Sequence, residues 1–176
     1  RIWFDRILIL KAYIMDLDSE SIERYSRNIL LPEIGGKGQS KLLKSSVLVI
    51  GAGGLGSPLL MYLASSGIGN ITIVDHDKVE LSNLQRQIIH NIENVTKPKV
   101  ISAKKFLLKL NPNINIISDF KKIDKSNITE YIENHDVIAD GSDNFDTRYL
   151  VADSCFTLKK TLVSAAITKF EGQIST

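Results

Sequence analysis

Short apolar blocks alternate with polar turns along this chain. Val47-Leu48-Val49-Ile50 is a β-branched and aliphatic run of strand length that ends in Gly51-Ala52-Gly53-Gly54-Leu55-Gly56. Residues 57–66 then read as a helix, stopped by Gly67. Ile71–Val74, Ile114–Ile117, Val137–Ala139 and Leu162–Ala166 read as four further strands. Between them, Lys97–Leu110 places Val100, Ala103, Leu107 and Leu110 at helical spacing, with Lys104, Lys105 and Lys109 elsewhere on its surface. Asn111-Pro112-Asn113 ends it. Asn127–Glu133 and Phe145–Lys159 are the remaining predicted helices of this part. Strands that alternate with helices predict an α/β chain: a Rossmann-like, doubly wound, mainly parallel sheet with helices on both faces.

Ahead of the first strand the pattern is helical. Ser19, with an acid nearby, starts a helix that runs to about Ile29. Leu30-Leu31-Pro32-Glu33-Ile34-Gly35-Gly36 breaks it, and Gly38–Lys44 reads as a second short helix. The expected organisation is thus an N-terminal helical segment over 15–46 and one main domain over 47–176. Residues 1–14 are apolar and basic and lack a small-residue cleavage site. They read as non-native or upstream-translated sequence, with Met15 as the true start. A signal peptide is the rival, but the acidic stretch Asp16-Leu17-Asp18-Ser19-Glu20 suits a cytoplasmic start better. Residues 170–176 stop within an expected strand, which suggests truncation at the C-terminus.

Composition narrows the classes. A chain of 176 residues suggests one main domain, and 43% hydrophobic with 24% charged residues is ordinary for a globular protein. A net charge of +2 is too small to argue for DNA or a membrane surface. No apolar run reaches the ~18 residues of a membrane span. Cys155 is the single cysteine, so this chain holds no internal disulfide and no cysteine-pair zinc site. It lies among Val151, Ala152, Phe156 and Leu158 and reads as core.

The glycine stretch brings in chemistry. Gly51, Gly53 and Gly56 match G-x-G-x-x-G between a strand and a helix, where backbone N–H groups and a helix N-terminus face an anion. Alone the motif admits NAD, FAD or ATP. Asp75, at the end of the second strand, is placed to accept hydrogen bonds from ribose hydroxyls. The following loop supplies Asp77, Asn83, Arg86 and Gln87, and Lys99 comes later. A dehydrogenase needs only the acid here; two cations at the turn suit a triphosphate better. Asp140-Gly141-Ser142-Asp143-Asn144 closes the fourth strand, where open sheets place ligands. Asp143 suits Mg²⁺ between phosphate oxygens, and equally the N-cap of the next helix; the two roles compete for the same oxygens. His76, His90 and His135 read as ordinary polar residues.

Taken in order, Arg24-Tyr25-Ser26-Arg27-Asn28-Ile29, G-A-G-G-L-G, Asp75-x-Asp77, Ser82-Asn83-Leu84-x-Arg86-Gln87, Lys97-Pro98-Lys99, Ser142-Asp143-Asn144 and Glu171-Gly172-Gln173 resemble the ThiF/MoeB/HesA family. These are bacterial relatives of the ubiquitin-activating E1 enzymes, and the likeness spans about residues 20–176. The resemblance implies an adenylyltransferase that uses ATP and Mg²⁺. Its substrate would be the C-terminal Gly-Gly carboxylate of a ubiquitin-like sulfur carrier of molybdopterin or thiamine biosynthesis, with pyrophosphate released. By the family pattern Gly54 lies at the phosphates, Asp75 at the ribose, and Arg86 and Lys99 on the phosphates. Asp143 takes the magnesium position, and Asp77, Asn83 and Asn144 belong to the nucleotide site. Arg27 matches an arginine that reaches into a neighbouring subunit's site, so a homodimer is implied. A cysteine desulfurase or rhodanese is implied as a further partner.

The family's cysteine-pair Zn²⁺ site and sulfur-accepting cysteine would fall beyond Thr176. The chemistry asks for no general base, because the attacking carboxylate is already ionised at neutral pH. The alternative within the superfamily is a tRNA threonylcarbamoyladenosine dehydratase. An NAD-dependent dehydrogenase is the alternative from another class, and it leaves Arg86 with Lys99 unexplained. A non-catalytic scaffold subunit would not require Arg86, Lys99 and Asp143 together.

Overall fold

The computed structural model describes residues 17–176; the expectations for 1–14 and Met15 lie outside the described residues. Three helices come first: α1 (Ser19–Arg24), α2 (Ser26–Ile29) and α3 (Gly35–Lys44). The helix expected from Ser19 to Ile29 is therefore two, broken at Tyr25, whose φ of −102° and ψ of 15° leave the helical region. Asp18 rather than Ser19 caps α1: its carboxylate accepts the Ser21 N–H at 2.7 Å, which holds its pKa below the usual carboxylate range. The third helix starts at Gly35, earlier than the expected Gly38.

The alternating part follows in order: β1 (Ser46–Ile50), α4 (Gly56–Ser66), β2 (Asn70–Val74), α5 (Lys99–Leu110), β3 (Asn115–Asp119). After these come α6 (Ile128–Glu133), β4 (Val137–Asp140), α7 (Phe145–Leu158), β5 (Thr161–Thr168) and β6 (Glu171–Ser175). One six-stranded sheet has the order β3-β2-β1-β4-β5-β6. The first five strands are parallel and β6 runs antiparallel to β5. The chain winds outward from β1 to β3, then returns to lay β4 against β1 on the other side. That reversal opens a crevice beyond the carboxyl ends of β1 and β4.

β1 is buried on both faces, as its unbroken apolar run suits. Val47 and Val49 pack with Leu60, Ala64, Val100, Ala103 and Leu107 from α4 and α5. Leu48 and Ile50 face the other way, onto Ile128, Ile132, Val151 and Cys155 of α6 and α7. The expected apolar face of α5 is confirmed at Val100, Ala103 and Leu107, whereas Leu110 is exposed in the last turn. α5 starts at Lys99, not Lys97, because Pro98 holds an extended conformation (φ −53°, ψ 133°) at the cap. Gly67 ends α4 in the left-handed region (φ 86°), as expected. β5 runs further at both ends than the expected Leu162–Ala166. Among the described residues no helix is long and apolar enough to cross a membrane.

Candidate functional site

A cleft of about 900 Å³ opens beyond the carboxyl ends of β1 and β4. Its floor is the glycine turn between β1 and α4. Gly51 holds φ +93°, a left-handed conformation that a side chain would strain. A Cβ on Gly56 would lie 1.9 Å from the Gly51 carbonyl oxygen, so Gly56 allows the turn to close without itself lining the cleft. Gly51, Gly53 and Gly54 do line it.

The first wall comes from β2 and the loop after it. The Asp75 carboxylate accepts the Ala52 N–H at 2.8 Å and the Asp77 N–H at 2.7 Å, and it is nearly buried. Two backbone donors fix the carboxylate and leave lone pairs for ribose hydroxyls. Lys99 begins α5, is 6% exposed, and donates from Nζ to Asp77 at 2.8 Å. Arg86 is exposed, and its stem lies over Gly54: a Cβ there would sit 3.5 Å from Arg86 Cδ. Arg86 makes no ion pair among the described residues. Of the cations that line the cleft, which include Lys121, Lys122 and Arg148, Lys99 is thus held by Asp77, and Arg86 is free over the turn.

The second wall comes from β4, α7 and the β5–β6 hairpin. Asp143 lines the cleft and is exposed. The cap of α7 is Asn144, whose side-chain oxygen accepts the Thr147 N–H at 2.9 Å. The competition foreseen for Asp143 therefore does not arise, and its carboxylate oxygens remain available. They are hard oxygen donors of the kind Mg²⁺ takes together with phosphate oxygens and water. Asp75, His76 and Asp77 also approach one another within 4.8 Å. Asp75 already accepts two N–H groups and Asp77 already holds Lys99, which makes Asp143 the better-suited carboxylate.

Besides Gly56, two expected residues do not line the cleft in this chain. Asn83 lies in a short 3-10 turn, Leu81–Asn83, where its side chain accepts the Glu80 N–H at 3.4 Å; it does not line the cleft. Arg27 is exposed on α2 and likewise does not line it.

Three polar groups at the site escape sequence reading. Asp140 is buried and accepts the Ser142 N–H at 3.0 Å and the Ser164 hydroxyl at 3.2 Å. Arg148 donates to the Ala165 carbonyl at 2.9 Å, the Ser142 carbonyl at 3.3 Å and Ser164 Oγ at 2.9 Å, pinning α7 to β5 and to the loop after β4. His90 is buried, with Nε2 3.0 Å from the Ala52 carbonyl oxygen and Nδ1 2.8 Å from Ser102 Oγ. Burial pushes its pKa below the ordinary imidazole value. Cys155 is buried, and burial pushes its thiol up to about 11, so it is an inert core residue as expected.

The family model for the ThiF family matches residues 25–176. A SAMP-activating enzyme E1 of Haloferax volcanii is 48% identical over 92% of this chain and 60% of its own length. A sulfur carrier protein adenylyltransferase of Thermus thermophilus is 43% identical over 89% of this chain and 58% of its own. The crystal structure of E. coli tRNA N6-threonylcarbamoyladenosine dehydratase superposes with a TM-score of 0.80 at 25% identity, covering 85% of this chain and 62% of that one. The chain spans about 60% of the length of the two sequence relatives. With the glycine turn, the β2 acid and the cleft cations all in the matched region, the chain belongs to the ThiF family.

Proposed function

We propose that the protein is an ATP-dependent adenylyltransferase that activates the C-terminal glycine carboxylate of a ubiquitin-like sulfur carrier. The observation that carries this reading is the free Arg86 guanidinium over Gly54, with Lys99 lining the same cleft. A triphosphate needs that charge. The adenylyltransferase and E1 names of the relatives support the same reaction class.

In this reading Asp75 holds the ribose, and the turn N–H groups with Arg86 and Lys99 hold the phosphates. The carrier carboxylate forms a bond to the α-phosphorus as the bond to the bridging oxygen breaks. The products are an acyl-adenylate and pyrophosphate, which carries away the bonding electron pair. Two anions must meet, so fixed cations and oriented N–H groups lower the barrier by offsetting the charge that develops. Bound Mg²⁺ would add to that neutralisation, with Asp143 as its protein ligand. Asn144 serves the site by capping α7, which leaves Asp143 uncommitted. Arg27 completes the site of a second subunit in a homodimer, with residues 15–46 as the arm that carries it.

Pyrophosphate exchange into ATP by the full-length protein tests the reading. It is expected to require Mg²⁺ and a Gly-Gly carrier. Exchange stimulated by tRNA and not by any carrier selects the dehydratase reading, which the 0.80 TM-score likeness keeps in view. Mixing Arg27→Ala with Arg86→Ala protein is expected to restore part of the activity, because one site of a mixed dimer is intact. No recovery on mixing contradicts the shared site.

A further inference from the structure

We propose that His90 is a positioning residue that aims the Gly53 N–H at an anionic oxygen of the nucleotide. The inference rests on the nucleotide-binding reading of the cleft. The Ala52–Gly53 peptide contains both the Ala52 carbonyl and the Gly53 N–H, and it is trans. In a trans peptide these two groups point in opposite directions. The carbonyl faces inward, toward His90 Nε2 at 3.0 Å. The N–H of the same rigid plane therefore faces the other way. Gly53 lines the cleft, and its N–H donates to no protein acceptor among the described residues. The Gly54, Leu55 and Gly56 N–H groups likewise donate to no protein acceptor among the described residues, and N–H groups left without a partner are available to a ligand.

The grip on the turn is double. Asp75 holds the Ala52 N–H on one side, and His90 holds the Ala52 carbonyl on the other. A carbonyl oxygen only accepts, so Nε2 must carry the proton. Nδ1, being unprotonated in the neutral ring, then accepts the Ser102 hydroxyl at 2.8 Å. Ser102 lies on α5, the helix that begins with Lys99. The imidazole thus ties the helix that carries a cleft cation to the turn that carries the N–H groups. His90 does not line the cleft, so it acts through the Ala52–Gly53 peptide and not by touching the ligand.

The tautomer is measurable in the wild-type, full-length protein by nitrogen NMR of labelled histidine. The expected result is a protonated Nε2 with a pyridine-type Nδ1. A protonated Nδ1 with bare Nε2 overturns the proposal, because Nε2 then has nothing to donate. Mg·ATP titration followed at the Gly53 amide tests the consequence. His90→Leu is expected to weaken binding about tenfold and to abolish the ATP-induced shift of that amide. His90→Gln, which keeps a donor, should stay within about threefold and retain the shift. Ser102→Ala keeps the ring but removes the group that selects its tautomer, and should weaken binding about threefold. A merely structural histidine would lower the melting temperature in both His90 variants with the Gly53 shift intact in both, and that outcome also overturns the proposal. Should His90→Leu fail to fold, the tautomer and Ser102→Ala decide. A wild-type protein that shows no ATP response at any turn amide defeats the nucleotide reading instead, leaving the tautomer result as it stands.

Discussion

The two walls of the cleft are built differently. On the β1–β2 side the acids, Lys99 and the histidine are held by protein partners: Asp75 holds two N–H groups, Asp77 holds Lys99, and His90 is bonded at both nitrogens, while Arg86 and the Gly53 N–H are left free. Beneath them β1 and β2 are buried except at their first residues. On the β5–β6 side every residue of β6 is exposed, and Ile167 and Ile174 are 65% and 73% exposed. Phe145 and Tyr149 stack on each other at 6.4 Å and are also largely exposed. One wall is preorganised and the other is open. In the proposed reaction the first serves the nucleotide, whose shape is fixed, and the second serves the end of a protein, which needs room. Preorganisation belongs where charge develops, because dipoles that are already aligned need not reorient during reaction.

The largest expected difference between the walls is in stability. Leu107→Ala, in the core behind the preorganised wall, should cost about 2–5 kcal/mol in a denaturant titration. Ile174→Ser on the open wall should change stability by less than about 0.5 kcal/mol. Equal losses would break the comparison. Asn144→Ala removes the α7 cap and should cost about 1 kcal/mol, with a local rise in amide exchange at Thr147. The smallest effect is a pH slope. Burial lowers the folded pKa of His90, so the unfolded chain binds more protons than the folded one just below the ordinary value of about 6.5. Stability should therefore fall as pH drops below about 6.5, and His90→Gln should flatten that part of the curve. A wild-type slope that persists in His90→Gln assigns it to another group.

Much of the preorganised wall was legible in the sequence. The apolar run of β1, the glycine turn, Asp75 and the buried face of α5 each follow from a local pattern. Arg86 and Lys99 were legible as a pair of cations, and both line the cleft. The bonding of His90 was not legible, because its partners Ala52 and Ser102 lie 38 and 12 residues away in the chain. A buried histidine and an ordinary surface one look alike until the fold brings the turn and α5 together. Arg148 was hidden for the same reason, since two of its three acceptors sit on β5. The break at Tyr25 has another cause. Its ring is buried and its hydroxyl accepts from the Asn111 side chain at 2.8 Å, so a tertiary contact overrides a local helical pattern.

In the proposed reaction the free cation over the glycine turn and the uncommitted carboxylate of the opposite wall both serve adenylate transfer. Pyrophosphate exchange in the full-length protein with Arg86→Ala, and separately with Asp143→Ala, tests it most directly. Loss of one hydrogen bond to a charged group corresponds to about 1.5–3 kcal/mol, so each variant should exchange at least about tenfold more slowly than wild type. Exchange at the wild-type rate in either variant would contradict the account.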